Sequence, residues 1–364
     1  DSPNSLIGKE YSITDKAEVY ADIRFTKNQS PSQIAYSGTF GDLRSVPCYN
    51  ANFSKQIYNA VCGNWTGMGG SYAPNFATGA DALAYISALN GQVADESIIA
   101  YAAPIRSLKR NVEGGPRTYA TKYENITAAL GMRGDINDDW RYDVSYQTSQ
   151  VDFSEEIQND LSITKLLRAT NVINVAGAPT CVSVLDGTDS DCIPYNLFSG
   201  GLPGDGGVQA IHDANPDIQT YMAIPNFILG DSSETIFQAY VEGTTNISIP
   251  GAPDAISAVF GYESRELESD YRPDASAQAA DRTGAGGPIV ALAGGYDVDE
   301  YFIELGVPVT DALNLEVGMR FAEYSTDQDT DSFKLGAYYQ VNDDLSVRGT
   351  LQTATRHGSI TELY

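Results

Sequence analysis

The chain has 364 residues, and its 48 acidic side chains against 22 Lys and Arg give a formal net charge of −26 at pH 7. Because a negative field repels a phosphate backbone, we expect no nucleic-acid partner. No uninterrupted apolar run reaches about 18 residues, which excludes a transmembrane helix. Membrane-spanning strands are not excluded, since each needs only ~9–11 residues of alternating polarity.

Apolar and polar residues alternate repeatedly along the chain, as expected of β-strands whose two faces meet different surroundings. The alternation is clearest at 17–25, 140–147, 313–321 and 345–352. It predicts ten strands, at about 5–13, 17–28, 117–134, 139–153, 234–249, 255–270, 297–309, 313–326, 331–341 and 345–355. Short helices are predicted between strands at 81–89, 164–169 and 208–212, as packing within loops rather than a second domain.

The connections between these strands are alternately short and long. Asp- and Asn-rich turns occur near 14–16, 136–139, 250–254, 310–312 and 342–344. Long links run at about 29–115, 155–233 and 271–296, with a tighter one near 326–331. This asymmetry is typical of an all-β, antiparallel, up-and-down transmembrane β-barrel with short periplasmic turns and long extracellular loops. A soluble β-sandwich remains the alternative, because alternation alone does not distinguish the two.

Four cysteines lie in two close pairs, Cys48 with Cys62 and Cys181 with Cys192. Three pairings are possible in principle. Both close pairs fall in polar stretches of the long links, and no second Cys/His pair of zinc spacing accompanies them. We therefore expect one disulfide in each of two loops, an oxidising compartment and no metal site. Free buried thiols are the alternative.

The sequence offers little catalytic chemistry. The Gly-rich stretch 200–207 lacks the Lys-Ser/Thr of a phosphate-binding loop. Residues 327–331 open like a calcium loop, but Gly is absent at the sixth position and Glu at the twelfth. The two histidines form no recognisable triad with a nucleophile. We therefore expect no enzyme activity and no cofactor.

Several motifs occur together in the second half of the chain. Residues 296–309 and the Gly-x-Arg strand at 318–321 resemble consecutive barrel strands of TonB-dependent receptors. The family's hallmark is an aromatic-Arg-Ala-Pro run followed by Glu-Leu-aromatic. The residues that are similar to it here are Arg356, Glu362, Leu363 and Tyr364. Thr355, His357 and Gly358 depart from the aromatic, Ala and Pro of that hallmark. The stretch from Cys181 to 200 also resembles a disulfide-bearing extracellular loop of the family, so the resemblance covers most of 117–364.

The resemblance implies a barrel of about 22 strands in the outer membrane of a Gram-negative cell, its lumen filled by an N-terminal plug domain. It also implies that TonB contacts a TonB box in that N-terminal part and energises import. This chain contains neither the plug nor the TonB box, and we expect both ends of the barrel to be truncated, leaving about ten strands.

Charged residues on the polar strand face are predicted to line the lumen. They are Arg24, Arg133, Arg141, Glu316, Arg320 and Arg348. One interpretation is a ladder of cross-strand ion pairs, worth ~0.2–1 kcal/mol each, and the other is contact with the plug. The ion-pair ladder is favoured, because the plug is absent from this chain.

The leading functional hypothesis is active import of a scarce nutrient. Loops 29–115, 155–233 and 271–296 would capture a small ligand, outer-membrane lipid would surround the barrel, and the TonB system would supply energy. A passive porin or channel is the first alternative, and a soluble all-β binding protein is the second.

Overall fold

The computed structural model describes residues 4–43, 45–63, 72–90, 102–198, 217–284, 287–326 and 328–364. The strands are β1 (Asn4–Thr14), β2 (Ala17–Gln33), β3 (Val46–Pro47), β4 (Asn75–Phe76), β5 (Ala102–Ala103), β6 (Thr118–Asp135), β7 (Trp140–Leu161), β8 (Val172–Val175), β9 (Ala178–Cys181), β10 (Ala223–Thr244), β11 (Ser257–Pro273), β12 (Leu292–Pro308), β13 (Leu313–Tyr324), β14 (Thr330–Asn342) and β15 (Leu345–Gln352). The α-helices are α1 (Lys55–Cys62), α2 (Gly79–Asn90), α3 (Ile163–Thr170), α4 (Val182–Leu185), α5 (Ile218–Met222), α6 (Ala275–Gln278) and α7 (Ile360–Leu363).

Ten strands form one sheet in the order β1-β2-β6-β7-β10-β11-β12-β13-β14-β15. Each strand pairs antiparallel with its neighbours, so the sheet is the predicted up-and-down meander. Its edges are β1 and β15, and the sheet is therefore part of a barrel rather than a closed one. Within the described ranges, no helix is long and apolar enough to cross a membrane.

Some strand ends differ from the predicted ones. β7 continues to Leu161 rather than 153, and β10 begins at Ala223 rather than 234. The β7 extension carries polar residues on both faces, and the β10 extension carries apolar residues on both, as at Ile228 and Leu229. Alternation therefore disappears, although the backbone ladder continues. At its other end, β10 is shorter than predicted and stops at Thr244 rather than 249. Immediately after it, the Thr245 amide donates a hydrogen bond to Ile256 O (2.8 Å).

The sheet has one face rich in exposed apolar side chains. A cross-strand row on this apolar face consists of Val19, Met132, Val144, Ala239, Tyr262, Tyr301 and Phe321. Nearer the long loops the same face becomes polar, as at Gln150, Asp152 and Ser154 on β7. No second sheet covers the apolar face anywhere in the described residues, which contradicts the sandwich alternative. An apolar band with polar flanks is the pattern of a membrane barrel.

The hydrophobic core lies in the long loops, not between sheets. Its most buried members come from the 34–117 and 162–222 connections and include Leu43, Val46, Leu166, Ile173 and Ile218. Two of the predicted loop helices are present as α2 and α3, and the third, at 208–212, lies outside the described residues. Because both connections contribute to one core, they fold as a single unit, here called the loop roof.

Candidate functional site

The strand register places all six predicted charged residues on one face of the sheet, here called the charged face. For example, Glu18 on β2 lies opposite Arg133 on β6, which lies opposite Asp143 on β7. The same register relates Arg320 to Phe302 and Ser332 farther along the sheet. That this face lines a lumen stays a prediction.

Five of the six residues take part in ion pairs. Arg133 on β6 pairs with Glu18 on the neighbouring β2 and with Glu10 (3.0 Å) on β1. The other pairs are Arg24 with Asp22 (3.2 Å), Arg141 with Glu242 (3.7 Å), Lys334 with Glu316 (2.7 Å) and Arg320 with Glu300. Within the described residues no ion pair includes Arg348, which lies opposite Tyr338. Because most of these charges are paired within the sheet, the contacts favour the interpretation as a ladder of ion pairs.

Two carboxylates of the charged face are buried, and sequence reasoning missed both. Glu263 and Glu300 are only 7% and 8% exposed. Arg265 and Arg320 cover them, and Gln238 donates a hydrogen bond to Glu263 (3.0 Å). Glu263 and Arg265 belong to a stretch of β11 in which both faces are polar, so the alternation assigned no face there. Only the register with β10 and β12 identifies the cluster.

The loop roof contains both predicted disulfides. Cys48 is bonded to Cys62 at the end of α1, with Cα atoms 5.8 Å apart. Cys181 at the end of β9 is bonded to Cys192. All four side chains are buried within the hydrophobic core. The cross-links therefore hold the core of the roof, not its surface.

The roof is tied to the strand ends by a third connection, residues 274–291. The Asp281 carboxylate accepts hydrogen bonds from the Ser162 hydroxyl (2.5 Å) and the Thr164 amide (2.7 Å) at the start of α3. Two residues later, the Thr283 amide donates to Leu161 O (2.9 Å), and the Thr283 and Ser37 hydroxyls are 3.1 Å apart. All three long connections therefore meet above β7.

A partly buried carboxylate joins α3 to α5 inside the roof. Asp189 accepts hydrogen bonds from Tyr221 Oη (2.8 Å) and from Arg168 Nη1 (2.9 Å). Burial opposes ionisation of Asp189, but these donors outweigh it and hold the pKa of that carboxyl below its ordinary value. Burial and the bond to Asp189 raise the pKa of Tyr221, so the phenol stays a donor.

Replacing Asp189 by Asn is expected to destabilise the roof by about 1–3 kcal/mol at pH 7, because Tyr221 and Arg168 lose a charged acceptor. The folded pKa of Asp189 lies below the unfolded value of about 3.9, so its stabilisation is present above that pH. It disappears as the pH falls through the folded pKa. Urea titrations at pH 7 and pH 3 should therefore show a difference that shrinks on acidification. Asp191→Asn is the control, since Asp191 is exposed; an equal loss there would contradict the assignment.

A family model described as "TonB dependent receptor-like, beta-barrel" matches residues 49–364. The chain belongs to this family. No curated protein matches it. Among solved structures, the chain is similar to a mutant of the ferric enterobactin receptor PfeA of Pseudomonas aeruginosa, with 9% identity and a TM-score of 0.44 over 96% of this chain and 33% of that one.

Two further solved structures are similar, with lower TM-scores. One is the toluene transporter TbuX of Ralstonia pickettii, with 10% identity and a TM-score of 0.33 over 98% of this chain and 64% of that one. The other is the toluene transporter TodX of Pseudomonas putida, with 11% identity and a TM-score of 0.31 over 96% of this chain and 63% of that one. The chain thus spans between a third and just under two thirds of the length of these three structures.

The segment near residue 364 that resembles the family's hallmark forms a compact turn. Arg356 pairs with Glu362, and a capping box joins Ser359 to Glu362 at the start of α7. The guanidinium and the Ser359 donors lower the pKa of Glu362 to about 2. The Tyr364 hydroxyl donates to Gly295 O on β12 (2.8 Å). Arg356 and Glu362 therefore stabilise each other.

His357, which differs from the family's hallmark, packs against the sheet. Its ring stacks on Tyr324 of β13 (4.0 Å between centroids) and lies 4.8 Å from that of Tyr296 on β12. Thr326 Oγ1 lies 2.7 Å from its Nε2 atom. His357 and Tyr364 thus both join this segment to the sheet.

Proposed function

We propose that this chain is part of an outer-membrane receptor that imports a scarce nutrient into a Gram-negative cell, with energy from the TonB system. Membership of the TonB-dependent receptor family supports this proposal. The plug and the TonB box would lie outside this chain. Outer-membrane lipid would contact the apolar face, and the receptor would carry out no chemical conversion and hold no cofactor.

The observation that carries the proposal is the difference between the two ends of the sheet. At one end, β1–β2, β6–β7 and β14–β15 are joined by turns of a few residues. At the other end, two connections form the loop roof, with its own core and two disulfides, and a third connection binds to it. A pre-ordered surface binds a ligand at a lower entropic cost than free loops do, which suits a receptor that captures a dilute solute. A simple pore gains nothing from such a roof.

Energy dependence tests the proposal. The full-length receptor would be produced in a Gram-negative host, and uptake of labelled ferric chelates, cobalamin and oligosaccharides would be measured with and without TonB. Active import predicts accumulation above the external concentration that disappears without TonB or after a protonophore. Equal uptake in both strains, together with a steady conductance in planar bilayers, would instead show the passive channel.

A further inference from the structure

A row of aromatic side chains crosses the charged face between the apolar band and the loop roof. The strand register places one residue from each of five adjacent strands in this row. In strand order they are Tyr123 (β6), Phe153 (β7), Gly230 (β10), Tyr271 (β11) and Leu292 (β12). The Phe153 ring centroid is 5.0 Å from that of Tyr123 and 6.4 Å from that of Tyr271. This set is called the aromatic row below.

The two faces of the sheet exchange character at this level. The adjacent row on the opposite face consists of four carboxylates, those of Glu124, Asp152, Asp231 and Asp270. The acidic side chains thus lie on the face that is apolar farther down the strands, and the rings lie on the face that is charged there. Clustered apolar surface that faces a polar space marks an interaction site. Tyr123 is 47% exposed, so its ring is open to a ligand.

Two other aromatic rings of the charged face are covered by arginines of the sheet. Arg133 lies over Tyr20, with 5.2 Å from the guanidinium carbon to the ring centroid, and Arg320 lies over Phe302 (5.7 Å). Among the residues that the structure describes, no Lys or Arg lies over a ring of the aromatic row. The faces of these rings are therefore available for stacking on a ligand.

The aromatic row forms a wall of a cavity of about 430 Å³. This volume lies within the ~300–1,000 Å³ range of small-molecule sites. α7 contributes Thr361 to the wall, so the site is a cavity rather than a flat stretch of sheet. Gly230 keeps its floor open, since a Cβ atom there would lie 3.5 Å from the Phe153 ring and 3.6 Å from the Tyr271 ring.

The described wall of this cavity offers a ligand no unpaired charge. Its charged residues are Asp231 and Asp270, and both pair with Arg272 on the opposite face of the sheet (2.7 Å for Asp231). The hydroxyls of Ser232 and Ser269 already donate to backbone carbonyl groups (3.1 and 3.4 Å). A charged ligand would lose its hydration here without gaining a counter-ion, which favours an uncharged one.

We propose that the aromatic row binds a small uncharged organic molecule that carries an aromatic ring. That ring would stack on Phe153 and its neighbours, and the apolar wall would exclude water from it. The cavity has the volume of a small-molecule site and lies at the end of the sheet that carries the loop roof, where a captured ligand would enter. This deepens the proposed function and rests on it, since the site would select what the receptor imports.

The test is a set of calorimetric titrations of the full-length receptor in detergent with four probes of similar shape. Benzamide is expected to bind about 10-fold more tightly than cyclohexanecarboxamide, which lacks the aromatic ring. It should also bind more tightly than benzoate and the benzamidine cation, which carry a charge. Equal affinity for the two amides would overturn the ring assignment, and equal or tighter binding of either ion would overturn the choice of an uncharged ligand. Binding of none of the probes, as expected if the plug covers the row, would overturn the site.

Replacements by leucine remove a ring but keep an apolar side chain. Phe153→Leu and Tyr271→Leu should each weaken benzamide binding by about 10-fold and leave cyclohexanecarboxamide binding unchanged. The matched control is Phe302→Leu, because Phe302 lies on the same face, also opposite a glycine (Gly261), but beneath Arg320. Unchanged benzamide affinity in both row variants, or an equal loss in the control, would overturn the proposal.

Filling the cavity tests its position independently of stacking. Gly230→Val places a side chain between the rings of Phe153 and Tyr271 and should abolish binding of both amides. Thermal unfolding without ligand should give the leucine variants the same unfolding temperature as the parent protein. Loss of benzamide binding only in variants with a lowered unfolding temperature would show a structural role and overturn the proposal. None of these measurements involves TonB, so a failure of energised uptake would leave the binding result intact, and the reverse also holds.

Discussion

Replacement of Leu130 by Arg is expected to destabilise the folded barrel in a bilayer by about 2–4 kcal/mol, the cost of a cation near the midplane. Leu130 is 56% exposed, on the apolar face of β6. Its cross-strand neighbours are Ala21 and Tyr146, so an arginine there would find no carboxylate directly opposite. Urea titration of the full-length protein in phospholipid vesicles would measure the effect.

Two controls make this result specific to lipid contact. Ala129 is the adjacent residue on the charged face and lies opposite Asp22 and Gln147, so Ala129→Arg should be tolerated. Gln150 lies on the same side as Leu130 but beyond the apolar band, where Gln150→Arg should change little. Equal costs for Leu130→Arg and Ala129→Arg would show that the two faces do not meet different surroundings.

Removal of the Cys48–Cys62 disulfide by a double replacement with Ala is expected to destabilise the loop roof by about 3 kcal/mol. The bond closes a loop with a sequence separation of 14, and a cross-link of that span chiefly restricts the unfolded chain. Because both sulfurs are buried in the roof core, the effect should appear in α1 and its neighbours. Hydrogen exchange of the roof amides would measure it, since exchange reports local opening.

The strands supply an internal control for the disulfide. Amides of β12 and β13 lie far along the sheet from the roof core and should exchange at unchanged rates. Removing Cys181 and Cys192 should cause a comparable loss centred on β9 and the following segment, because the closed span is similar. If either replacement left roof exchange unchanged, the cross-links would have no part in holding the roof.

The part of the sheet that has one apolar and one polar face was largely predictable from the sequence. From 313 to 321 the side chains alternate without exception, because one face meets an apolar phase and the other a polar one. The structure confirms the resulting strand as β13. The upper parts of β7 and β10 were missed because neither has one apolar and one polar face, so no alternation survives there.

The candidate sites were predictable only in part. The cysteine pairs lie close in sequence, so local spacing pointed to both bonds. By contrast, nothing in the residues around Asp281 and Thr283 predicts their contacts with the loop roof. Their partners are Ser37, Leu161 and the start of α3, which lie more than a hundred residues away in the chain, so spacing alone cannot identify them.

By itself, the sequence predicted the ten strands of the large sheet, the alternating faces of most of them, and one disulfide in each of two loops. These features follow from period-two alternation and short-range spacing, which are local properties of the chain. Only the tertiary structure decided that the 34–117 and 162–222 connections share one core, that the 274–291 connection binds to it, and that Glu263 and Glu300 lie buried beneath arginines. Each of those depends on strand register and loop packing, where residues distant in sequence must compete for the same space and the same partners.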